Sequence, residues 1–145
     1  MTSSDDVPIP GLAPAFTLRL DPAGGARIGQ LATGGVREHR AFSGGRLQGE
    51  RLSGDLLPDH SGETWLRRTD GVAAVEAAYL VRTGEGQVLR LLGTGYATGT
   101  GDFAGVRMTI VIEVDEAGPH AWASRRAFVA ERPAGSDALQ IAEVV

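Results

Sequence analysis

The chain has 145 residues, of which 42% are hydrophobic and 22% charged, and its net charge is −4. This is the size and composition of one folded domain rather than of a disordered chain. All 14 basic residues are arginines and they form no long run, which excludes lysine Schiff-base chemistry and argues against nucleic acid as a partner. Cysteine is absent, so thiol nucleophiles, disulfides and cysteine metal sites are excluded as well.

The first residues, MTSSDDVPIPGLA, lack the basic start and apolar stretch of a signal peptide. We therefore expect a flexible leader over residues 1–13, one domain over residues 14–145, and a cytoplasmic location. No apolar run approaches the roughly 18 residues that suggest a membrane span. We expect no membrane partner.

Short β-rich runs follow one another along the chain, among them AFTLRL, AAVEAAYLVRT, QVLRLLGTG, VRMTIVIEV and LQIAEVV. Glycines separate them at intervals near ten residues, and no window keeps the apolar period of a helix. In VRMTIVIEV every even-numbered residue from Val106 to Val114 is apolar, which indicates a strand with one dry face. The sequence predicts an all-β fold: a single antiparallel β-barrel of about eight to ten strands, with a central cavity and little helix.

The segment ETWLRRTDG places three functional side chains on one strand face. Successive side chains of a strand alternate, so Glu63, Trp65 and Arg67 share a face, and Asp70-Gly71 is typical of a hairpin turn. If this face points inward, burial beside an indole raises the pKa of Glu63 and prepares it for proton transfer, whereas direct pairing with Arg67 holds it ionised. A Glu–Arg pair with no catalytic role is the alternative.

Further candidates lie on later strands. Glu76 has small neighbours that leave room for a ligand, although a cross-strand salt bridge is an alternative role. Arg90 and Tyr96 share a mixed face that could line a cavity. His120 and Trp122 also alternate onto one face, and imidazole titrates near neutral pH, although a histidine after AGP is more often a turn residue than a catalyst.

Three segments carry a resemblance to a known family: FSGGRLQGERLSGDLLP, ETWLRRTDG and VEAAYLVRTGEG. Together with the later IEVDEAGPHAWASRRAFVAE, they resemble the family called domain of unknown function 3237, over roughly residues 14–145. The resemblance implies a barrel-like, all-β single domain. Glu63 stands where the family usually has Asp, and His120 where it usually has Tyr. Tyr79 shares a strand face with Val75, Ala77 and Val81, and it is expected to pack in the core with its hydroxyl at a rim.

These observations lead to a cofactor-independent enzyme that acts on a small molecule inside the barrel, by a proton-transfer-dependent cyclisation, isomerisation, elimination or hydration. The predicted proton-handling residues are Glu63, Glu76 and His120, and the predicted substrate-binding residues are Trp65, Arg67, Arg90, Tyr96 and Trp122. The three histidines lack a metal-ligand spacing, so we expect neither a metal nor a cofactor. A non-catalytic carrier and a barrel filled by its own side chains are the alternatives, and assembly into a homo-oligomer is left open.

Overall fold

The structure is a computed structural model that describes residues 7–99 and 105–145. Nine strands make up most of it. They are β1 (Leu12–Ile28), β2 (Val36–Gly49), β3 (Gly54–Leu56), β4 (Gly62–Arg67), β5 (Ala73–Thr83), β6 (Val88–Thr98), β7 (Gly105–Glu113), β8 (Phe128–Arg132) and β9 (Ala138–Val144). Short 3₁₀ turns occur at Pro58–His60 and Ala121–Arg125.

The strands form one antiparallel sheet that closes into a ring. Around the ring, β1 pairs with β9, followed by β8, β7, β6 and β5. The short strands β3 and β4 both bridge β5 to β2, and β2 pairs back onto β1. The predicted all-β antiparallel barrel is therefore confirmed. Because β1 pairs with both β2 and β9, it closes the ring between them.

Alternation of side chains fills the ring with apolar groups. On β7 the even-numbered residues Val106, Met108, Ile110 and Ile112 are at most 4% exposed, as the sequence predicts. On β5 the odd-numbered residues from Ala73 to Thr83 are buried and the residues between them are not. The hydrophobic core therefore lies inside the ring, where burial of apolar surface supplies the main driving force for folding.

Up-and-down connectivity gives the barrel two distinct ends. The β1–β2, β4–β5 and β8–β9 connections lie at one end, which we call the mouth. The β5–β6 and β7–β8 connections lie at the other, which we call the far end. The β4–β5 connection contains Asp70 and Gly71, and Gly71 has a φ of 87°, as a tight hairpin at this position requires.

The residues just before β1 pair with the end of the chain at the far end. Residues 1–6 of the predicted leader lie outside the described residues, and β1 begins at Leu12 rather than at residue 14. Just before it, Gly11 exchanges two backbone hydrogen bonds with Val145, of 2.8 and 2.9 Å. Among residues 7–99 and 105–145, no helix is long and apolar enough to cross a membrane.

Candidate functional site

Glu63 is the centre of a buried polar cluster within the apolar ring. Glu63 is 2% exposed, and its carboxylate accepts hydrogen bonds on both oxygens. The Trp65 indole Nε1 donates to Oε1 at 3.0 Å, and the Tyr79 hydroxyl donates to Oε2 at 2.5 Å. The Arg132 guanidinium donates to both oxygens, at 2.7 and 2.9 Å. This two-pronged geometry is the strongest form of an arginine–carboxylate pair.

Strand parity and ring closure bring these side chains together. Glu63 and Trp65 point inward from β4, as the alternation in ETWLRR predicts. Tyr79 points inward from β5 and is fully buried, so its hydroxyl lies in the core and not at a rim as expected from the sequence. Arg132 ends the inward row of β8, after Phe128 and Ala130.

The electrostatics of Glu63 differ from the expectation that burial would raise its pKa. Burial does act in that direction, but hydrogen bonds from Arg132, Tyr79 and Trp65 and the charge of Arg132 outweigh it, and the pKa falls below its ordinary 4.5. Burial and the negative charge of Glu63 raise the pKa of Tyr79 well above 10.0. At neutral pH the site therefore holds an ionised carboxylate, an ionised guanidinium and a neutral phenol.

A second set of charged side chains, formed by Arg40, Arg67 and Glu38, lies beside the indole of Trp65. The Arg40 guanidinium lies 3.7 Å from the centroid of the Trp65 ring, and that of Arg67 lies 5.4 Å from it. Glu38 links the two arginines, accepting from Arg67 at 2.8 Å and from Arg40 at 3.4 Å. Burial acts to raise the pKa of Glu38, but the two guanidinium groups outweigh it, and the pKa falls below its ordinary 4.5. Arg67 thus pairs with Glu38 and not with Glu63.

A pocket of about 780 Å³ opens at the mouth, directly above these groups. We call it the mouth pocket. Its lining residues are Pro22, Gly24, Gly25, Ala26, Arg27, Glu38, His39, Arg40, Ala41, Phe42, Glu63, Arg132, Gly135, Ser136 and Asp137. The volume lies within the usual range for a small-molecule site. The cavity expected inside the barrel therefore takes the form of a pocket at one end, while apolar side chains fill the ring below it.

Of the predicted site residues, Glu63, Trp65 and Arg67 lie together beneath or beside the mouth pocket. Glu76, Arg90 and Tyr96 do not join them, because even-numbered residues of β5 and β6 point to the outside of the ring. Arg90 pairs there with Glu113 at 3.0 Å. Tyr96 is 57% exposed.

His120 and Trp122 lie at the far end, in the β7–β8 connection. The His120 Nε2 is 3.8 Å from a carboxylate oxygen of Glu85, in the β5–β6 turn. The Trp122 ring stacks on Phe16 at 6.3 Å, and the Arg51 guanidinium lies 3.6 Å above it. The predicted site residues are thus split between the mouth, the outer surface and the far end.

Sequence reasoning missed three residues of the site, namely Arg132, Glu38 and Arg40. The signal for Arg132 was an arginine in phase with the apolar residues of FVAER. The signal for Glu38 and Arg40 was their shared parity with Phe42 in VREHRAF, which places all three on the inner face of β2. In residues 7–99 and 105–145 no group of three or more histidine, aspartate or glutamate side chains could hold a metal ion.

Comparison with models of protein families shows which family the chain belongs to. The model of the family "Protein of unknown function (DUF3237)" matches residues 10–106, which is well over half of the sequence. The chain therefore belongs to this family, as the resemblance in the sequence predicted. No curated protein sequence matches it.

Solved structures share the fold across nearly the whole chain. A protein of unknown function from Rhodopseudomonas palustris is 20% identical, with a TM-score of 0.82, and the alignment covers 96% of this chain and 100% of that one. A beta-barrel like protein from Acinetobacter baumannii is also 20% identical, with a TM-score of 0.80 and coverage of 96% and 98%. An enzyme from Penicillium herquei is 17% identical, with a TM-score of 0.75 and coverage of 97% and 98%. At these identities the similarity establishes the barrel-like fold.

Proposed function

We propose that this protein is a cofactor-independent enzyme that catalyses a proton-transfer-dependent cyclisation, isomerisation, elimination or hydration of a small organic substrate in the mouth pocket. One observation carries the proposal. A pocket of about 780 Å³ is lined by carboxylate and guanidinium groups held in fixed positions by buried hydrogen bonds. Such preorganised charges are what stabilise charge that develops in a transition state.

Glu38 is the proposed proton-transfer residue. Glu63 already accepts four hydrogen bonds on its two oxygens, so little acceptor capacity is left for a substrate proton. Glu38 is half-buried, lines the pocket, and has only one short contact, to Arg67; its contact with Arg40 is longer, at 3.4 Å. Guanidinium groups beside the pocket would stabilise the enolate or phenolate that proton removal creates.

The fold is compatible with this role. The apolar core surrounds the charged pair at the pocket floor, and exclusion of water there strengthens electrostatic interactions. The similarity in fold to an enzyme from Penicillium herquei agrees with catalysis on this scaffold, although a fold hosts many functions.

A non-catalytic carrier is the second candidate, and one observation favours it. Neighbouring guanidinium groups lower the pKa of Glu38 and of Glu63, and a carboxylate with a lowered pKa is a weak base. A protein that only binds its ligand needs the charges without the basicity.

Deuterium exchange tests the proposal. The protein is incubated in D₂O with a panel of carbon acids, including enolisable ketones and β-keto esters, and proton NMR follows exchange and product formation. We expect wild-type protein to accelerate exchange for at least one compound. Glu38→Gln should slow that reaction by about 100-fold or more, because it removes the proton acceptor.

The matched control is Glu76→Gln, which makes the same change on the outer surface and should leave the rate unchanged. Equal rates for Glu38→Gln and wild type would remove Glu38 from the mechanism. Binding of panel members with no exchange for any of them would favour the carrier.

A further inference from the structure

The cluster beneath the mouth pocket indicates the chemical class of the ligand. We infer that the mouth pocket binds a planar organic carboxylate, that Arg132 receives its anionic group, and that Glu63 is a positioning residue which holds Arg132 in place. This inference rests on the pocket of the proposed function and specifies its substrate. It concerns binding, so it can hold whether or not the protein is an enzyme.

Arg132 has the geometry of an anion receptor. A guanidinium carries more N–H groups than the two that Glu63 accepts, and Arg132 lines the mouth pocket while its side chain is 10% exposed. Because the two-pronged pair fixes the guanidinium plane, the remaining edge is held in one orientation. Arginine recognises carboxylates in this way with little loss of side-chain entropy.

Glu63 supports this role rather than competing for it. Its carboxylate is at the floor, is 0% exposed as a side chain, and is surrounded by donors from Trp65, Tyr79 and Arg132. A buried ion pair is often no more stabilising than apolar residues of the same volume. The pair therefore adds little stability that apolar side chains in its place could not provide. A fixed cation at the pocket floor, in contrast, can bind the anionic group of a ligand.

The walls of the pocket suit a flat ligand. Phe42 lines the pocket and is 7% exposed, and the Arg40 guanidinium, which also lines it, lies 3.7 Å from the centroid of the Trp65 ring. Aromatic rings stack favourably on both aromatic and guanidinium surfaces. Together with Arg132, these groups match a conjugated or aromatic ring that carries a carboxylate.

Matched probes test the inference on the intact protein. Calorimetric titration compares 2-naphthoate with 2-naphthamide, which has the same shape without the charge, and with acetate, which has the charge without the ring. We expect wild type to bind naphthoate at least about tenfold more tightly than either, a difference of about 1.4 kcal/mol. Equal affinity for naphthoate and naphthamide would overturn the inference without any variant.

Variants separate the roles of Arg132 and Glu63. Arg132→Lys keeps the charge but loses the fork, and should weaken naphthoate binding by about tenfold or more. Tyr79→Phe removes one donor from Glu63 and should weaken naphthoate while leaving naphthamide unchanged, which a purely structural role would not do. The control Arg107→Lys, on the exposed outer face, should change neither affinity.

Retained naphthoate affinity in a folded Arg132→Lys protein would overturn the inference. If that variant does not fold, the comparison of naphthoate with naphthamide on wild type still decides. Binding of naphthoate through Arg132 without deuterium exchange on any substrate would refute the proposed enzyme and leave this inference standing. Deuterium exchange on a panel compound, together with equal affinity for naphthoate and naphthamide, would do the reverse.

Discussion

At the scale of single residues, the Glu63–Arg132 pair sets the properties of the site. The two side chains lie inside an apolar ring, so each charge depends on the other for compensation. Removal of one partner from a buried pair leaves an uncompensated charge, which costs far more than loss of a surface ion pair. Stability and recognition are therefore coupled at this position.

Glu63→Gln should lower the free energy of unfolding by about 3–5 kcal/mol. The amide keeps the shape but leaves the Arg132 charge without a counterion and points an N–H₂ group at other donors. Urea unfolding measures the change. Glu76→Gln, exposed on the same sheet, should stay within about 0.5 kcal/mol of wild type, and equal effects of the two substitutions would contradict the buried-pair account.

Acid should remove the stabilisation that Glu63 contributes. The folded-state pKa of Glu63 is lowered below the ordinary 4.5, so the unfolded chain binds the proton more readily. The contribution is complete above pH 4.5 and is lost as the pH falls through the folded pKa. The difference in unfolding free energy between wild type and Glu63→Gln should therefore shrink as the pH is lowered below 4.5. A difference that stays constant with pH would show that the carboxylate's charge does not stabilise the fold.

At the scale of strands, β6 and β7 approach each other closely at Gly95. A Cβ atom added at Gly95 of β6 would lie 1.9 Å from the carbonyl oxygen of Arg107 on β7, a contact that the backbone can relieve only by moving. A Cβ atom added at Gly84, in the β5–β6 turn, would have no other atom within 4 Å. Only the first glycine is required by packing.

Gly95→Ala should therefore destabilise the protein by about 1–3 kcal/mol or more, since overpacking forces the strands apart. Gly84→Ala should stay within about 1 kcal/mol of wild type. Thermal unfolding followed by circular dichroism compares the two. Similar melting temperatures for both variants would argue against the close β6–β7 approach.

The strands also show which parts of the structure could be predicted from the sequence. In β7 one face is wholly apolar, so the inner face follows from alternation alone. In β6 both faces carry apolar residues, and the outward direction of Arg90 and Tyr96 is decided only by pairing with β5 and β7. The pattern of residues within β6 therefore does not show which of its faces points outward.

The same reasoning explains what was missed at the site. Glu63 and Trp65 lie two residues apart, so their common face was predictable. Arg132 is 69 residues from Glu63 along the chain, and closure of the ring alone brings them into contact. A local reading consequently favoured Arg67 as the partner of Glu63, whereas Arg67 pairs across the sheet with Glu38.

At the scale of the whole molecule, up-and-down closure divides the barrel into a mouth that carries a charged pocket and a far end where Gly11 pairs with Val145. This division separates Glu63 from His120, although both resembled proton-transfer residues in the sequence. The far end places His120 beside Glu85 and packs Trp122 on Phe16, in keeping with a role in closing the barrel.

We propose that the ligand binds at the mouth, on Arg132. A crystal structure of the protein with 2-naphthoate tests this proposal. We expect the carboxylate on the Arg132 guanidinium and the ring against Phe42 and Arg40. Naphthoate bound instead on the outer face near Glu76 and Arg90, or at the far end beside His120, would contradict it.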